Sequence, residues 1–302
     1  MSFKVHAIMI LEKTNVSFTF INRGHCVNTK NIAKRSAYAK NVLFKGDLSD
    51  QKIVNKMSGL INNALDKHED VLTDFLNPGE RDVLKKIAGT EVCLQSYGGH
   101  LNAEKKRVFI TEDWDTIAPL AYQVTVFNIE YLQKFTCLSH SAILGSLANA
   151  GIETSTFGDI ITDGYGKWQF FAKSELKDFF QHEITYIGRT KVRIRPSLNQ
   201  KVIAVDDESE LLTAIVSSLR LDAVLASITN DSRQKIKTYI SDNLVKLNWH
   251  SIKDFNIMVN ENDVLSLRHF GRCEIKDIST TRKGKYKVVY KLWQTRKRNR
   301  RN

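Results

Sequence analysis

The chain has little cysteine and no metal-binding spacing of cysteine or histidine. Its four cysteines are far apart, and none forms a Cys-x-x-Cys pair. The eight histidines are scattered and show no His-x-x-x-His spacing. A structural zinc site needs ligands at such short spacings, and a secreted disulfide scaffold needs closely grouped cysteines. The sequence therefore predicts no metal, no cofactor and a reducing, cytoplasmic compartment.

Long apolar segments are missing as well. A membrane-spanning helix needs about 18 or more consecutive apolar residues, and the sequence has no such run. Residues 7–11 are apolar, but this stretch is too short for the core of a signal peptide. We expect a protein without a membrane partner.

Acidic residues are nearly absent from the two ends of the chain. The net charge is +12, but residues 1–42 carry +6 and residues 282–302 carry +10, so residues 43–281 carry −4. Basic segments beside a slightly acidic body are typical of polyanion binding, because each Lys or Arg placed against a phosphate releases condensed counterions. A solvated tail that binds nothing in particular is the alternative for residues 296–301.

The first 42 residues form a basic extension whose role the sequence leaves open. Their composition is similar to that of an organellar transit peptide, they could contain one short strand around Phe18, and they could also result from an upstream start site. We expect this segment to be disordered and assign no function to it.

Residues 43–119 predict an N-terminal α+β unit. Apolar residues from Ile53 to Leu65 recur with helical period, residues 77–79 predict a turn, and residues 80–88 predict a second helix. Two strands are expected to flank the loop at residues 98–107, which contains glycines and three cations. This loop could hold a phosphate, or it could be a surface connection with solvated lysines. The three cations are Lys105, Lys106 and Arg107.

Residues 120–200 predict a central unit of the order βαββαβ, which ferredoxin-like and RRM-like folds share. The expected strands are 122–129, 158–162, 167–172 and 191–195, and the expected helices are 142–150 and 174–182. The stretch GYGKWQF, residues 164–170, is similar to the RNP1 motif. A hairpin needs the same Gly-x-Gly residues, so we expect Trp168 and Phe170 in the core and not stacked on bases.

Residues 213–293 predict two short helices followed by strands. Apolar residues at i, i+3, i+4 and i+7 from Leu221 form one stripe, and Ser232 is expected to cap the second helix. Residues 245–248 alternate as a half-buried strand does, and a polar turn at residues 260–263 leads to a second strand. In the last strand, lysines alternate with apolar residues, which predicts one cationic face and one packed face.

This arrangement resembles the S4 RNA-binding domain. The Arg-Leu-Asp opening at residues 220–222, the Ser-Arg pair at residues 232–233 and the Val-x-Leu-Asn strand at residues 245–248 follow the order and spacing of that family. The exit Asp-Val-Leu-Ser-Leu-Arg follows in the same order. Asn243 and Asn262 stand where the family usually has glycine, and asparagine is the residue that best tolerates the left-handed conformation.

The resemblance implies an RNA-binding surface made of basic and polar side chains. Arg220 and Asp222 could instead pair with each other and organise the fold, which is the role we expect for Asp222. The residues predicted to contact RNA are Arg220, Ser232, Arg233, Lys235, Lys237, Lys246, Asn248, Arg268, Arg272, Lys283, Lys285 and Lys287.

Blocks outside this region resemble the YlmH family of bacterial S4 proteins over about residues 43–293. They are LTDFLNPGERDVL (72–84), GGHLNAEKKRV (98–108), LSHSAILGSLANAGI followed by FGDI (138–160), and RHFGRCEIKDISTTRKGK (268–285). The chain departs from the family at His140-Ser141-Ala142, where the usual residues are His-Arg-Asp. Any role of that Arg and Asp is therefore absent here.

The resemblance implies an α+β protein of three units that functions in ribosome quality control. Members of the family bind large ribosomal subunits that hold a peptidyl-tRNA after stalling, and the S4 domain contacts ribosomal RNA near the tRNA. The expected partners are ribosomal RNA of the large subunit, tRNA and the ribosome, with no small-molecule substrate.

The competing class is an RNA-modifying enzyme that carries an S4 domain. A pseudouridine synthase needs Gly-Arg-Leu-Asp, but Leu219 precedes Arg220. A methyltransferase needs a glycine-rich cofactor loop after a strand, whereas Gly164 and Gly166 lie in an expected hairpin. No paired carboxylates and no Ser/His/Asp order stand out. We therefore expect a protein that is not an enzyme and has no catalytic residue.

Overall fold

The computed structural model describes residues 48–207 and 209–294. The basic extension predicted at residues 1–42 and residues 295–302 of the basic tail lie outside the described residues. The fold is α+β, with helices packed on antiparallel sheets. Within the described ranges, no helix is long and apolar enough to cross a membrane.

The helices and strands are numbered in chain order. The helices are α1 (Leu48–Lys67), α2 (Pro78–Ala88), α3 (His140–Ala148), α4 (Lys177–Glu183), α5 (Leu221–Thr229) and α6 (Arg233–Ser241). The strands are β1 (Val71–Leu72), β2 (Cys93–Tyr97), β3 (Arg107–Thr111), β4 (Val124–Glu130), β5 (Phe157–Thr162), β6 (Trp168–Lys173), β7 (Tyr186–Ile187), β8 (Thr190–Lys191), β9 (Arg193–Pro196), β10 (Glu210–Val216), β11 (Val245–Leu247), β12 (His250–Ser251), β13 (Val264–Leu267), β14 (Gly271–Thr280) and β15 (Tyr286–Gln294).

The elements from α1 to β3 pack around one core. Val54, Met57 and Ile61 recur at helical spacing along α1 and are buried. At the start of α2, the Asn77 side chain accepts the Glu80 backbone N–H at 3.0 Å, and the Glu80 carboxylate accepts the Asn77 N–H at 2.8 Å. The turn predicted at residues 77–79 is therefore wrong. This reciprocal cap begins the helix there, with proline at a first-turn position that needs no N–H donor.

The elements from β4 to β9 form a four-stranded antiparallel sheet with α3 and α4 on one face. Across the sheet the strands lie in the order β5-β6-β4-β9. The first of these four strands in the chain, β4, therefore lies between the third, β6, and the fourth, β9. Phe127, Phe170 and Phe180 pack together between the layers, with ring centroids 5.0, 5.5 and 5.1 Å apart. The last predicted strand is interrupted, because β8 pairs with β7 whereas β9 pairs with β4.

The elements from β10 to β15 form a six-stranded antiparallel sheet of order β10-β15-β14-β13-β11-β12. Helices α5 and α6 cover one face, and Val224, Ile236 and Val288 are completely buried in the core between the layers. Ser232 caps α6 as predicted, since its hydroxyl accepts the Lys235 backbone N–H at 3.2 Å.

The loop at residues 98–107 joins these three units. On one side, Asp159 of the central unit accepts the backbone N–H of Glu104 at 2.6 Å. Gly99 of the loop has φ of 98°, and a Cβ added there would lie 2.2 Å from the Phe171 ring. Only glycine fits both the backbone conformation and this close approach.

Candidate nucleic-acid interface

Two arginines share one buried carboxylate at the start of α5. Arg220 precedes this helix, and Asp222 lies in its first turn, where the helix dipole favours a negative charge. Arg220 donates to Asp222 from Nε at 3.2 Å and from Nη2 at 3.3 Å. Arg233, the first residue of α6, donates from Nη2 to both Asp222 oxygens at 2.9 and 2.7 Å. Asp222 therefore has a structural role, and it links the two helices.

The Asp222 carboxylate is completely buried, yet its pKa is lowered. Burial by itself raises this pKa, and the hydrogen bonds and positive charges of Arg233 and Arg220 more than offset burial. The side chains of Arg220 and Arg233 remain 33% and 49% exposed. Two cations thus hold one charged carboxylate and still present part of their surface to solvent.

A third cation lies beside this pair. The Lys237 ammonium lies 4.4 Å from the centroid of the Phe255 ring, and the Arg220 guanidinium carbon lies 5.8 Å from the same centroid. We call Arg220, Asp222, Arg233, Lys237 and Phe255 the helical cluster. Three cations around one carboxylate leave the helical cluster with net positive charge, which suits a phosphate backbone.

Two of the other predicted contact residues also have local structural partners. Lys235 donates to Asp231 at 2.6 Å along the first turn of α6. Asn248 donates its Nδ2 to Asp263 at 2.7 Å and accepts the Val264 N–H at 2.8 Å. The Asn248 amide therefore holds the turn after β11, while the Lys235 side chain keeps about half of its surface exposed.

Lys246, Arg272 and Lys287 lie on the face of the six-stranded sheet opposite α5 and α6. Lys246 pairs with Ser266, which pairs with Arg272, so their side chains share one face. Lys287 is exposed and Val288 beside it is buried, as the predicted alternation requires. The sheet therefore separates these three cations from the helical cluster.

Three more predicted contacts lie in turns at the two ends of β14. Arg268 comes before this strand, whereas Lys283 and Lys285 follow it, and all three are exposed. The strand has 10 residues. Its two ends are thus about 30 Å apart. The residues predicted to contact RNA do not form one compact site, and the helical cluster is where three of them come together.

Two of the three cations of the loop at residues 98–107 donate to backbone carbonyls. Arg107 is buried and donates to the carbonyls of Thr73 at 2.8 Å and Tyr122 at 2.9 Å. Lys105 donates to the Thr154 carbonyl at 2.9 Å, and burial lowers its pKa. The lysine between them, Lys106, is half-buried. A surface connection with solvated lysines is the wrong description of this loop, and phosphate binding by it stays a prediction.

Glu104 of the same loop contacts the C-terminal unit. Its carboxylate accepts Trp249 Nε1 at 3.3 Å and pairs with Arg272. Trp249 has φ of 69°, a left-handed conformation that bulky residues seldom adopt and that surrounding contacts must maintain. The sequence did not predict this junction, because no local pattern relates residues that are 168 positions apart.

Replacing Glu104 with alanine is expected to lower the free energy of unfolding by about 1 kcal/mol, since it removes an ion pair and an indole acceptor that are partly exposed to solvent. Urea denaturation measures the change. Glu274→Ala is the matched control, because it breaks a pair with Lys276 on the same strand. We expect a smaller effect from the control, and equal effects would contradict a role of Glu104 in holding the units together.

Two of the three aromatic rings in the stretch similar to RNP1 pack against the core. Phe170 is completely buried, and Trp168 is half-buried against the same core. The prediction that these two rings pack in the core is confirmed for Phe170. Tyr165, in the turn before them, is instead 91% exposed. The sequence did not predict this exposed ring, because a turn residue leaves no periodic signal.

The cysteines in the core are not suited to thiolate chemistry. Burial raises the pKa of Cys273 to about 12, and burial also raises the pKa of Cys93. Both thiols are therefore protonated at neutral pH. In the described part of the chain, no group of three or more His, Cys, Asp or Glu residues is placed to hold a metal ion.

Comparison with known proteins relates this fold to one family. A family profile described as "Putative RNA-binding domain in YlmH" matches residues 119–201. The "Ribosome-associated protein quality control protein P2" of Bacillus subtilis (strain 168) is 35% identical over 225 residues, which covers 72% of this chain and 86% of that relative. The chain belongs to the YlmH family. The resemblance seen in the sequence blocks of this YlmH-family chain is thereby confirmed.

A solved structure of a YlmH protein is also similar to this YlmH-family chain. It is titled "Cell division protein ylmH from Streptococcus pneumoniae" and is 28% identical in sequence. The match has a TM-score of 0.44 and covers 51% of this chain and 94% of that one.

Proposed function

We propose that this chain is an RNA-binding protein of ribosome quality control that associates with the large ribosomal subunit after translation stalls. The observation that carries the proposal is the 35% identity to the Bacillus subtilis quality control protein, which aligns over 86% of that relative. In this proposal the chain acts in the cytoplasm, binds ribosomal RNA and peptidyl-tRNA, and catalyses no reaction.

In this proposal each of the three units is a separate domain. Residues 43–119 are an N-terminal α+β domain, residues 120–200 a ferredoxin-like, RRM-like domain, and residues 213–293 an S4 RNA-binding domain with a basic tail at 294–302. The strand order β5-β6-β4-β9 supports the second assignment, because ferredoxin-like units have this order. The sheet of the third unit starts at Glu210, so its boundary is better placed before β10.

The helical cluster is the part of the C-terminal unit best suited to hold RNA. Arg220 and Arg233 are fixed by Asp222, and their exposed N–H groups can donate to phosphate oxygens without a large loss of side-chain entropy. Lys237 adds a third charge beside them. A fixed set of cations can contact the phosphates of a structured RNA helix without reading its base sequence, and this suits ribosomal RNA.

Fractionation of a tagged, full-length chain on sucrose gradients tests this function. After translation is stalled, we expect the chain to sediment with large ribosomal subunits, and we expect less of it there without stalling. A chain found only in the free protein fractions under both conditions would contradict the proposal. Modified nucleosides in RNA incubated with the purified chain, detected by mass spectrometry, would contradict its non-enzymatic part.

A further inference from the structure

Most of both faces of the central sheet are covered by other parts of the described chain. One face packs on α3 and α4. On the other face, Val126 and Phe171 are buried with Phe75 of the N-terminal unit. The segment after β9 also covers this face, since Gln169 accepts the Ile203 N–H at 3.0 Å. A ligand of the central unit therefore has to bind at the end of the sheet.

Large apolar side chains are exposed at one end of this sheet. Tyr165, in the turn between β5 and β6, is 91% exposed, and Phe135 and Leu132, in the segment after β4, are 80% and 73% exposed. The turn and the segment lie together, because Tyr131 Oη donates to the Gly166 carbonyl at 2.9 Å. Gln133 donates to the same carbonyl at 3.0 Å.

The Tyr165 ring is presented by a rigid turn. Asp163 Oδ1 accepts the backbone N–H groups of Tyr165 at 2.9 Å and Lys167 at 3.0 Å. Gly164 and Gly166 have φ of 76° and 100°, which fixes the chain on both sides of the tyrosine in conformations that favour glycine. A ring held in this way loses little freedom when a flat ligand stacks on it.

Two lysines beside these rings are available to contact phosphates. Lys134 and Lys167 are exposed, and neither forms an ion pair with any residue that the structure describes. Three carboxylates lie nearby: Glu130 is paired with Arg195 at 3.3 Å, Asp163 Oδ1 accepts the backbone N–H groups of the turn, and Asp206 lies against Gly164. We call Leu132, Lys134, Phe135, Tyr165 and Lys167 the aromatic edge.

A cavity of about 290 Å³ adjoins the aromatic edge. Its walls include Tyr131, Trp168, Lys167 and the polar side chains of Asn128 and Gln133. This volume is at the lower end of the range for small-molecule sites, so it suits a single base more than a larger ligand. Aromatic walls with a few polar groups are suited to a nucleobase.

We propose that the aromatic edge binds unpaired nucleotides of RNA, by stacking bases on Tyr165 and Phe135 while Lys134 and Lys167 contact the flanking phosphates. Exposed rings combined with unpaired cations are the means by which proteins bind single-stranded nucleic acid. The proposal rests on the proposed RNA-binding function and adds a second contact, which recognises unpaired RNA where the helical cluster recognises structured RNA.

Fluorescence anisotropy with the purified full-length chain tests this contact. The probes are a labelled polyuridine oligonucleotide of about 12 nucleotides and an RNA hairpin of similar length. Tyr165→Ala with Phe135→Ala should weaken oligonucleotide binding on the order of tenfold and leave hairpin binding unchanged. Tyr165→Phe with Phe135→Tyr keeps both rings and should restore binding. Tyr186→Ala removes a tyrosine that is 56% exposed on the β7–β8 hairpin and should have no effect.

Each outcome decides for or against the aromatic edge. Unchanged oligonucleotide binding by the alanine variant, or equal weakness of the ring-preserving variant, would overturn the proposal. So would loss of a protein partner at unchanged RNA affinity, because the aromatic edge would then be a protein-docking surface. The sucrose-gradient experiment tests the proposed function separately. If the chain is absent from ribosomal fractions but its oligonucleotide binding is weakened by Tyr165→Ala and Phe135→Ala, the proposed function is contradicted and the contact at the aromatic edge is retained.

Discussion

Replacing Arg233 and Lys237 together with alanine should weaken binding to large ribosomal subunits roughly 20-fold at about 150 mM salt. The two side chains are the cations that α6 contributes to the helical cluster, and each is expected to contact one phosphate. Because each contact releases counterions on binding, the slope of log affinity against log salt should fall by about one unit per lost contact. Co-sedimentation at several salt concentrations measures both quantities.

The matched control for this variant is Lys85→Ala with Lys86→Ala. It removes the same number of charges from exposed positions of α2 in the N-terminal unit. If binding depends only on the net charge of the chain, the two double variants will weaken it equally. Affinity that falls only in the α6 variant, with the smaller salt slope, would locate the contact at the helical cluster. Circular dichroism has to show that both variants are folded, since Arg233 also binds Asp222.

Removing both arginines that hold Asp222 is expected to destabilise the fold by about 2–4 kcal/mol at neutral pH. Arg220→Ala with Arg233→Ala leaves a completely buried carboxylate without a cation. We expect the lower part of the usual range for broken buried pairs, because the arginines are themselves a third to a half exposed. Chemical denaturation monitored by circular dichroism measures the loss.

The pH dependence of stability distinguishes loss of the cations beside Asp222 from loss of side-chain packing. The lowered pKa of Asp222 stabilises the native chain above the unfolded pKa of about 4, and this contribution is lost as the pH falls through the folded value. In the double variant, burial is no longer offset, so the pKa of Asp222 rises and protonation relieves the cost. The stability difference between the two proteins should therefore begin to shrink above about pH 4, as the pH falls through the raised pKa of the variant, and continue to shrink until the pH is below the lowered pKa of the native chain. Adding Asp222→Asn should restore part of the stability at neutral pH, and no restoration would contradict the account.

The sequence predicted features that depend on local chemistry. Helical periodicity located α1 and α5, and a single hydroxyl located the cap of α6. Asn243 and Asn262 have φ of 55° and 66°, so the left-handed conformation inferred at both positions is confirmed. These features are predictable because each depends on interactions within a few residues.

Features that depend on distant partners could not be predicted. The sequence placed the basic residues of the C-terminal unit on one platform, whereas the pairing of the strands puts Lys246 and Lys287 on the face opposite Arg233. The strand β10 was missed, because it is defined by its pairing with β15 at the other end of the unit. The role of Asp222 was predicted only in part, since its link to Arg233 crosses from one helix to the next.

The loop at residues 98–107 couples the stabilities of the three units. Its residues bind Asp159 in the central unit and, through Glu104, Trp249 and Arg272 in the C-terminal unit. Opening the N-terminal unit therefore also removes contacts of the other two, and we expect the unfolding of the three units to be coupled within the described residues. The unit boundaries predicted from the sequence mark where one sheet ends and the next begins. They do not mark parts of the protein whose stabilities are independent.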